Sequence, residues 1–243
     1  MSAGPLTVVV LLGVLAGSAA PALAGRFLAP GTRAVRRGLV VPGTRAVRRG
    51  LLVPGTRAVR PGLLVPGSQW ARPGLAVAGG VVFGGLAAVH GDDPALPVFL
   101  LIAAVGLALS VVDLACLRLP DPLVGTTAAA GTLGLVTVAA AGGELLRLPM
   151  AAAGAAVSLT VGLLLALLPG SRLGFGDVKL ATALGLPLGW LGWPALAWGL
   201  ALPHVLGGSW ALALLAAGRV RRDTALPFGP AILAGAWLAA LIA

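Results

Sequence analysis

The run LPVFLLIAAVGLALSVVD, residues 96–113, carries no charge until its last residue, Asp113. Wound as a helix it would extend roughly 27 Å, close to the ~30 Å hydrocarbon layer of a bilayer. It lacks the alternation of polar and apolar residues that a barrel strand would need, so a transmembrane helix is the reading. Working outward, comparable apolar segments fall at 5–25, 74–90, 122–141, 149–168, 177–191, 194–217 and 228–243. Pro, Gly and charge clusters such as Gly91-Asp92-Asp93-Pro94 and Pro120-Asp121-Pro122 divide them. Between 177–191 and 194–217, Gly192 and Pro194 favour a short turn, and Trp190 and Trp193 suit a membrane–water interface. The whole chain agrees: 58% of its 243 residues are hydrophobic and 10% charged, where a soluble domain needs roughly a quarter charged. Mean hydropathy is +1.03. The expected fold is all-α, a polytopic transmembrane helical bundle of about eight spans.

A net charge of +10 raises the question of nucleic acid. Its distribution answers against it, because the basic residues lie in loops between apolar segments, where they set topology and meet anionic lipid headgroups. With eight spans, one side collects the ten arginines from Arg26 to Arg72 plus Arg118, Arg172, Lys179, Arg219, Arg221 and Arg222. The other side holds Arg147 with Asp92, Asp93 and Glu144. This asymmetry predicts an amino terminus outside and cytoplasmic arginine-rich loops. Ala22-Leu23-Ala24 before Gly25 resembles a signal cleavage site, but no basic residue precedes the apolar run, so a retained helix is expected.

Three parts follow: a first helix at 1–25, an arginine-rich cytoplasmic loop at 26–73, and a membrane core at 74–243. Within the loop, PGTRAVRRGLVV from Pro30 recurs from Pro42 and Pro54 and decays from Pro66. Pro-Gly every twelve residues prevents one long helix, and the short apolar triplets bury no core. A basic topology anchor is the simpler reading, and lipid-headgroup binding the functional one. The single cysteine, Cys116, excludes an intrachain disulfide and a Cys-based zinc site.

Seven carboxylates are present, and each one near a bilayer interior needs a reason. Asp92, Asp93, Glu144 and Asp223 read as solvated loop charges. Asp121, before Pro122, reads as a helix N-cap. Asp113 and Asp177 differ: both fall at the cytoplasmic edge of predicted spans, 64 positions apart. Two carboxylates at one depth can share a water and a proton, because like charges a few ångström apart cannot both stay ionised. The neutral acid then polarises a peptide carbonyl while its partner takes a proton from water. Spacing and depth alone leave open a helix cap at Asp177, or an ion pair of Asp177 with Lys179 or Arg172.

The surrounding motifs narrow the choice. Residues 113–121, DLACLRLPD, resemble the first aspartate motif of prepilin peptidases (type IV leader peptidases). Residues 174–180, GFGDVKL, resemble that family's GxGD motif, continuing into Ala183-Leu184-Gly185 and Gly189-Trp190. Pro227-Phe228-Gly229-Pro230 is similar to its PFGP element. The resemblance covers about residues 96–243. It implies that Asp113 and Asp177 are the catalytic aspartates of an aspartic endopeptidase, with Gly174, Gly176, Lys179, Pro227, Phe228 and Gly229 supporting the site or the substrate. It implies cleavage of the basic leader from a type IV prepilin-like precursor, at the cytoplasmic face of the plasma membrane, with no metal or organic cofactor. Gly174 and Gly176 would then let a substrate backbone approach Asp177. Asp177 opens a helix and Asp113 closes one, so helix polarity points to Asp177 as the ionised base and Asp113 as the holder of the shared proton.

The chain departs from the larger members, which carry paired CxxC motifs between the first two spans and also methylate the new amino terminus. No cysteine lies there, so the resemblance is to short, peptidase-only members. Cys116 reads as a small apolar neighbour of Asp113, and His90 and His204 as helix-end or interhelix hydrogen-bonding residues. Two other readings compete: a non-enzymatic transporter or scaffold, and another GxGD intramembrane protease. Those proteases usually carry a Tyr-Asp pair at the first aspartate, and this chain has no tyrosine.

Overall fold

The structure, a computed structural model, describes residues 3–27, 71–171, 173–222 and 224–242. The arginine-rich repeat and Asp223 lie outside the described residues, as does Arg172. Eight α-helices appear among those described: α1 (Ala3–Ala24), α2 (Ala71–His90), α3 (Leu96–Cys116), α4 (Asp121–Gly142), α5 (Leu148–Leu167), α6 (Phe175–Leu191), α7 (Trp193–Ala216) and α8 (Gly229–Ile242). A single 3₁₀ turn, Leu145–Arg147, precedes α5. No strand occurs among the described residues.

The boundaries follow local chemistry. Helices α3, α4, α5 and α7 each have proline second, at Pro97, Pro122, Pro149 and Pro194, where the missing N–H forfeits no helical bond. Gly143, at φ +73°, ends α4, and Gly192, at φ +115°, separates α6 from α7 at the turn expected there. Leu117 ends α3 at φ +52°, a left-handed conformation costly for a branched side chain. Helix α3 runs three residues past the predicted limit at 113, so Asp113 sits inside its last turn.

Six of the helices are long and apolar enough to cross a membrane, while α6 and α8 are shorter. Leu133, Leu164, Val205 and Leu212 are each more than 60% exposed on the outside of the bundle. An outer surface of this kind suits lipid as solvent, where the backbone is satisfied within helices and side chains need no water. The fold is a polytopic helical membrane bundle.

Helix α3 is central, burying Phe99, Ile102, Leu109 and Val112 against α1, α2, α4 and α8. Helix α6 packs on α4, α5, α7 and α8. The two are not direct packing partners along their lengths; α4 and α8 lie against both. An apolar cavity of about 350 Å³ occupies the space between them, lined by Gly106 and Ser110 of α3, Leu184 and Leu188 of α6, and Leu233 and Trp237 of α8.

Several local expectations change. Trp193 is exposed as an interface residue would be, but Trp190 is 4% exposed, packed inside with the Arg147 guanidinium 5.5 Å above its ring. Asp121 is not an N-cap: α4 begins at Asp121 itself, and the carboxylate reaches sideways to Lys179. His90 closes α2 and donates from Nε2 to the Ala240 carbonyl of α8 at 2.6 Å, the interhelix bond expected. His204 lies mid-helix in α7, its Nδ1 donating to Leu200 of its own helix. Among the loop acids, Asp93 accepts the Ala95 N–H and Glu144 pairs with Arg147.

Candidate active site

The last turn of α3, the α3–α4 turn and the first turns of α6 and α8 converge at one end of the bundle. Asp113 is 4% exposed, among the few buried polar side chains described. Its Oδ2 accepts the Gly229 N–H at 2.8 Å. Gly229 is the first residue of α8, so this donor belongs to the set that a helix start leaves without intrahelical partners. A methyl group at Gly229 would sit 2.8 Å from Asp113 Oδ2, which is why glycine stands there.

Asp177 is half-buried in the first turn of α6, and its Oδ2 accepts the Gly174 N–H at 3.2 Å. Each aspartate accepts one N–H from a glycine at a helix start. Helix polarity therefore does not separate their roles as expected, because α8 directs its positive end at Asp113 just as α6 does at Asp177.

The α3–α4 turn fills the space between. Leu117 donates its N–H to the Asp113 carbonyl at 2.8 Å and reverses the chain. Leu119 then meets Gly176, where an added methyl would lie 3.2 Å from Leu119 Cβ. The room expected at Gly176 for a substrate backbone is thus taken by Leu119. Lys179 Nζ donates to Asp121 Oδ1 at 2.7 Å, an ion pair exposed on both sides. Lys179 therefore engages Asp121 rather than Asp177.

A small cavity of about 40 Å³, room for about one water, is lined by Asp177, Leu173, His204, Phe228 and Ile232; Asp113 is not in its lining. The His204 and Phe228 rings meet at a tilt, with centroids 5.6 Å apart, and also border a larger open groove of about 850 Å³. That groove runs past Leu173, Leu212, Leu215, Arg221 and Thr224. Pro227 is half-buried in the coil leading to α8, and Cys116 is half-buried one helical turn from Asp113. Of the residues singled out in the sequence, Asp113, Asp177, Gly174, Gly176, Lys179, Phe228 and Gly229 come together. Leu119 and His204 join them without having been assigned a part. Leu119 lay inside a quoted motif, and only His204's place beside Phe228 reveals its position. Among the described residues no three His, Cys, Asp or Glu side chains gather as a metal site.

Fold and site together define a polytopic helical membrane protein with a pair of carboxylates at one end of its bundle. Residues 99–220, half of the sequence, match the type IV leader peptidase family, and the chain belongs to it. It is similar to a prepilin leader peptidase/N-methyltransferase of Pseudomonas putida, 38% identical over 143 residues, 56% of this chain and 46% of that protein. It is also similar to proteins of the same name from Burkholderia pseudomallei (strain 1026b) and Aeromonas salmonicida. The first is 43% identical over 63 residues, 26% of this chain and 19% of that protein. The second is 36% identical over 69 residues, 28% and 23% respectively. The chain spans less than half the length of the curated relatives it matches. No solved structure matches it.

Proposed function

We propose that this chain is an aspartic endopeptidase that removes the basic leader from type IV prepilin-like precursors at the cytoplasmic face of the plasma membrane, with Asp113 and Asp177 as its catalytic pair. The observation that carries the reading is the meeting of three separate motifs at one bundle end, with each aspartate held by a glycine N–H. Asp177, which borders a water-sized cavity, takes a proton from the attacking water. Asp113 donates its proton to the scissile carbonyl oxygen. The gem-diol intermediate collapses as the C–N bond breaks, the Asp177 proton passes to the leaving amine and one gem-diol hydroxyl returns its proton to Asp113, so the two aspartates again hold one proton between them.

Eight spans with the amino terminus outside, and the arginine-rich 26–73 segment against anionic headgroups, complete the proposal. It places the site on the side where a leader remains before export. Residues 26–73 carry no cysteine, so proteolysis rather than methyl transfer is the proposed activity. The test is cleavage of a prepilin in membranes by the parent chain, Asp113→Ala and Asp177→Ala. Cleavage after the leader glycine, lost in both variants while each still inserts, supports the pair. Full cleavage by either variant removes that aspartate from the mechanism.

A further inference from the structure

The two carboxylates must be kept at one separation, yet their helices do not pack on one another. Something else has to set the distance. The α3–α4 turn is attached at both ends. At its start, Leu117 N–H binds the carbonyl of Asp113 itself. At its far end, Asp121 pairs with Lys179, two residues beyond Asp177. In its middle, the half-buried Leu119 side chain stands between two glycines. On one side is Gly176, the residue before Asp177, where a methyl would lie 3.2 Å from Leu119 Cβ. On the other is Gly229, the N–H donor to Asp113, where a methyl would lie 3.3 Å from Leu119 Cδ2. One side chain therefore touches the backbone that holds each aspartate.

We propose that Leu119 is a positioning residue, the spacer that sets the separation of Asp113 and Asp177, with the Asp121–Lys179 ion pair as the clasp that keeps the turn seated. The clasp is exposed, and exposed pairs contribute little to stability, which suits a part that fixes register. The inference rests on the proteolytic reading for its consequence in catalysis, and on geometry alone for the spacing.

Two readouts test it in the full chain in membranes. The first needs no cleavage. Asp113→Cys and Asp177→Cys are combined on a Cys116→Ala background and joined with bis-methanethiosulfonate reagents of graded length. With Leu119 present one reagent length dominates; with Leu119→Ala the preference shifts or spreads, and Leu119→Met keeps it. An unchanged preference in Leu119→Ala overturns the spacer. The second readout is prepilin cleavage. Leu119→Ala lowers kcat about tenfold or more with KM within about threefold, and Leu119→Met recovers most of kcat. A kcat unchanged in Leu119→Ala also overturns the proposal. Asp121→Lys and Lys179→Asp each lower kcat, and their combination restores it; no restoration removes the clasp. Absence of cleavage by the parent chain refutes the proteolytic reading, while the cross-linking pattern still decides the spacer.

Discussion

Helix α6 meets α5 and α3 in opposite ways. Against α5 it comes backbone to backbone: Gly154 faces Gly185 and Gly189, with Ser158 beside them, and no side chain intervenes. Against α3 it stands off, and a 350 Å³ apolar cavity with α2 and α8 on its flanks occupies the gap. In lipid, where burial of apolar surface drives little association, close van der Waals contact between small residues is what binds helices. The α5–α6 pair, like α1–α2 at Gly13 and Gly79, has the character of a fixed unit. The α3–α6 relation has none of that, and runs through the α3–α4 turn, the Gly229 N–H on Asp113 and an ion pair. Under the proposed function, stability and chemistry then fall on different faces of one helix.

Substitutions can break this contrast or sharpen it. The largest effect is expected at the carboxylates: Asp113→Asn and Asp177→Asn lower the rate of prepilin cleavage on the order of 10³-fold or more, measured in membranes where both still insert. Next is Gly229→Ala, whose methyl would press on Asp113 Oδ2 at 2.8 Å. It displaces the carboxylate without removing the N–H, and a rate loss of about 10²-fold follows with the folded fraction retained. On the other face of the comparison, Gly154→Leu forces α5 from α6 and lowers stability by about 1–3 kcal/mol in a thermal melt in detergent. If Gly154→Leu changed rate and left stability alone, the division between the two faces would fail. The smallest effect runs the other way. Leu117→Gly relieves the left-handed backbone at φ +52° and raises stability by up to about 1 kcal/mol, read in the same melt.

The helices themselves were legible because the length and the interruption of apolar runs are local properties. The structure moves every predicted end by three residues or fewer, and the Gly192 turn falls where Gly and Pro promised it. The proposal of an aspartate pair rests on motif resemblance, since spacing left capping and ion pairing open. What stayed hidden lies between elements distant in sequence. The bond from Gly229 to Asp113 joins residues 116 apart, and the Lys179–Asp121 pair joins residues 58 apart. Hydropathy gives no hint of which helix end faces which. The same blindness explains Trp190, an interface residue by composition that packing under Arg147 turns into a buried one. It also explains Gly176, whose missing side chain makes room for Leu119 rather than for a visitor.

The 17 residues of α6 carry one more consequence. They rise about 26 Å, a few ångström less than a typical hydrocarbon layer, and Asp177 is third among them. In the proposed eight-span arrangement, a helix this short meets the bilayer with a thickness mismatch, relieved by thinning of the leaflet around its first turn. Solvent then dimples down to Asp177 instead of the carboxylate being lifted out to the surface. Cleavage would accordingly depend on lipid acyl length, faster in thin bilayers than in thick ones, a sensitivity to which the number of residues between Gly174 and Gly192 contributes.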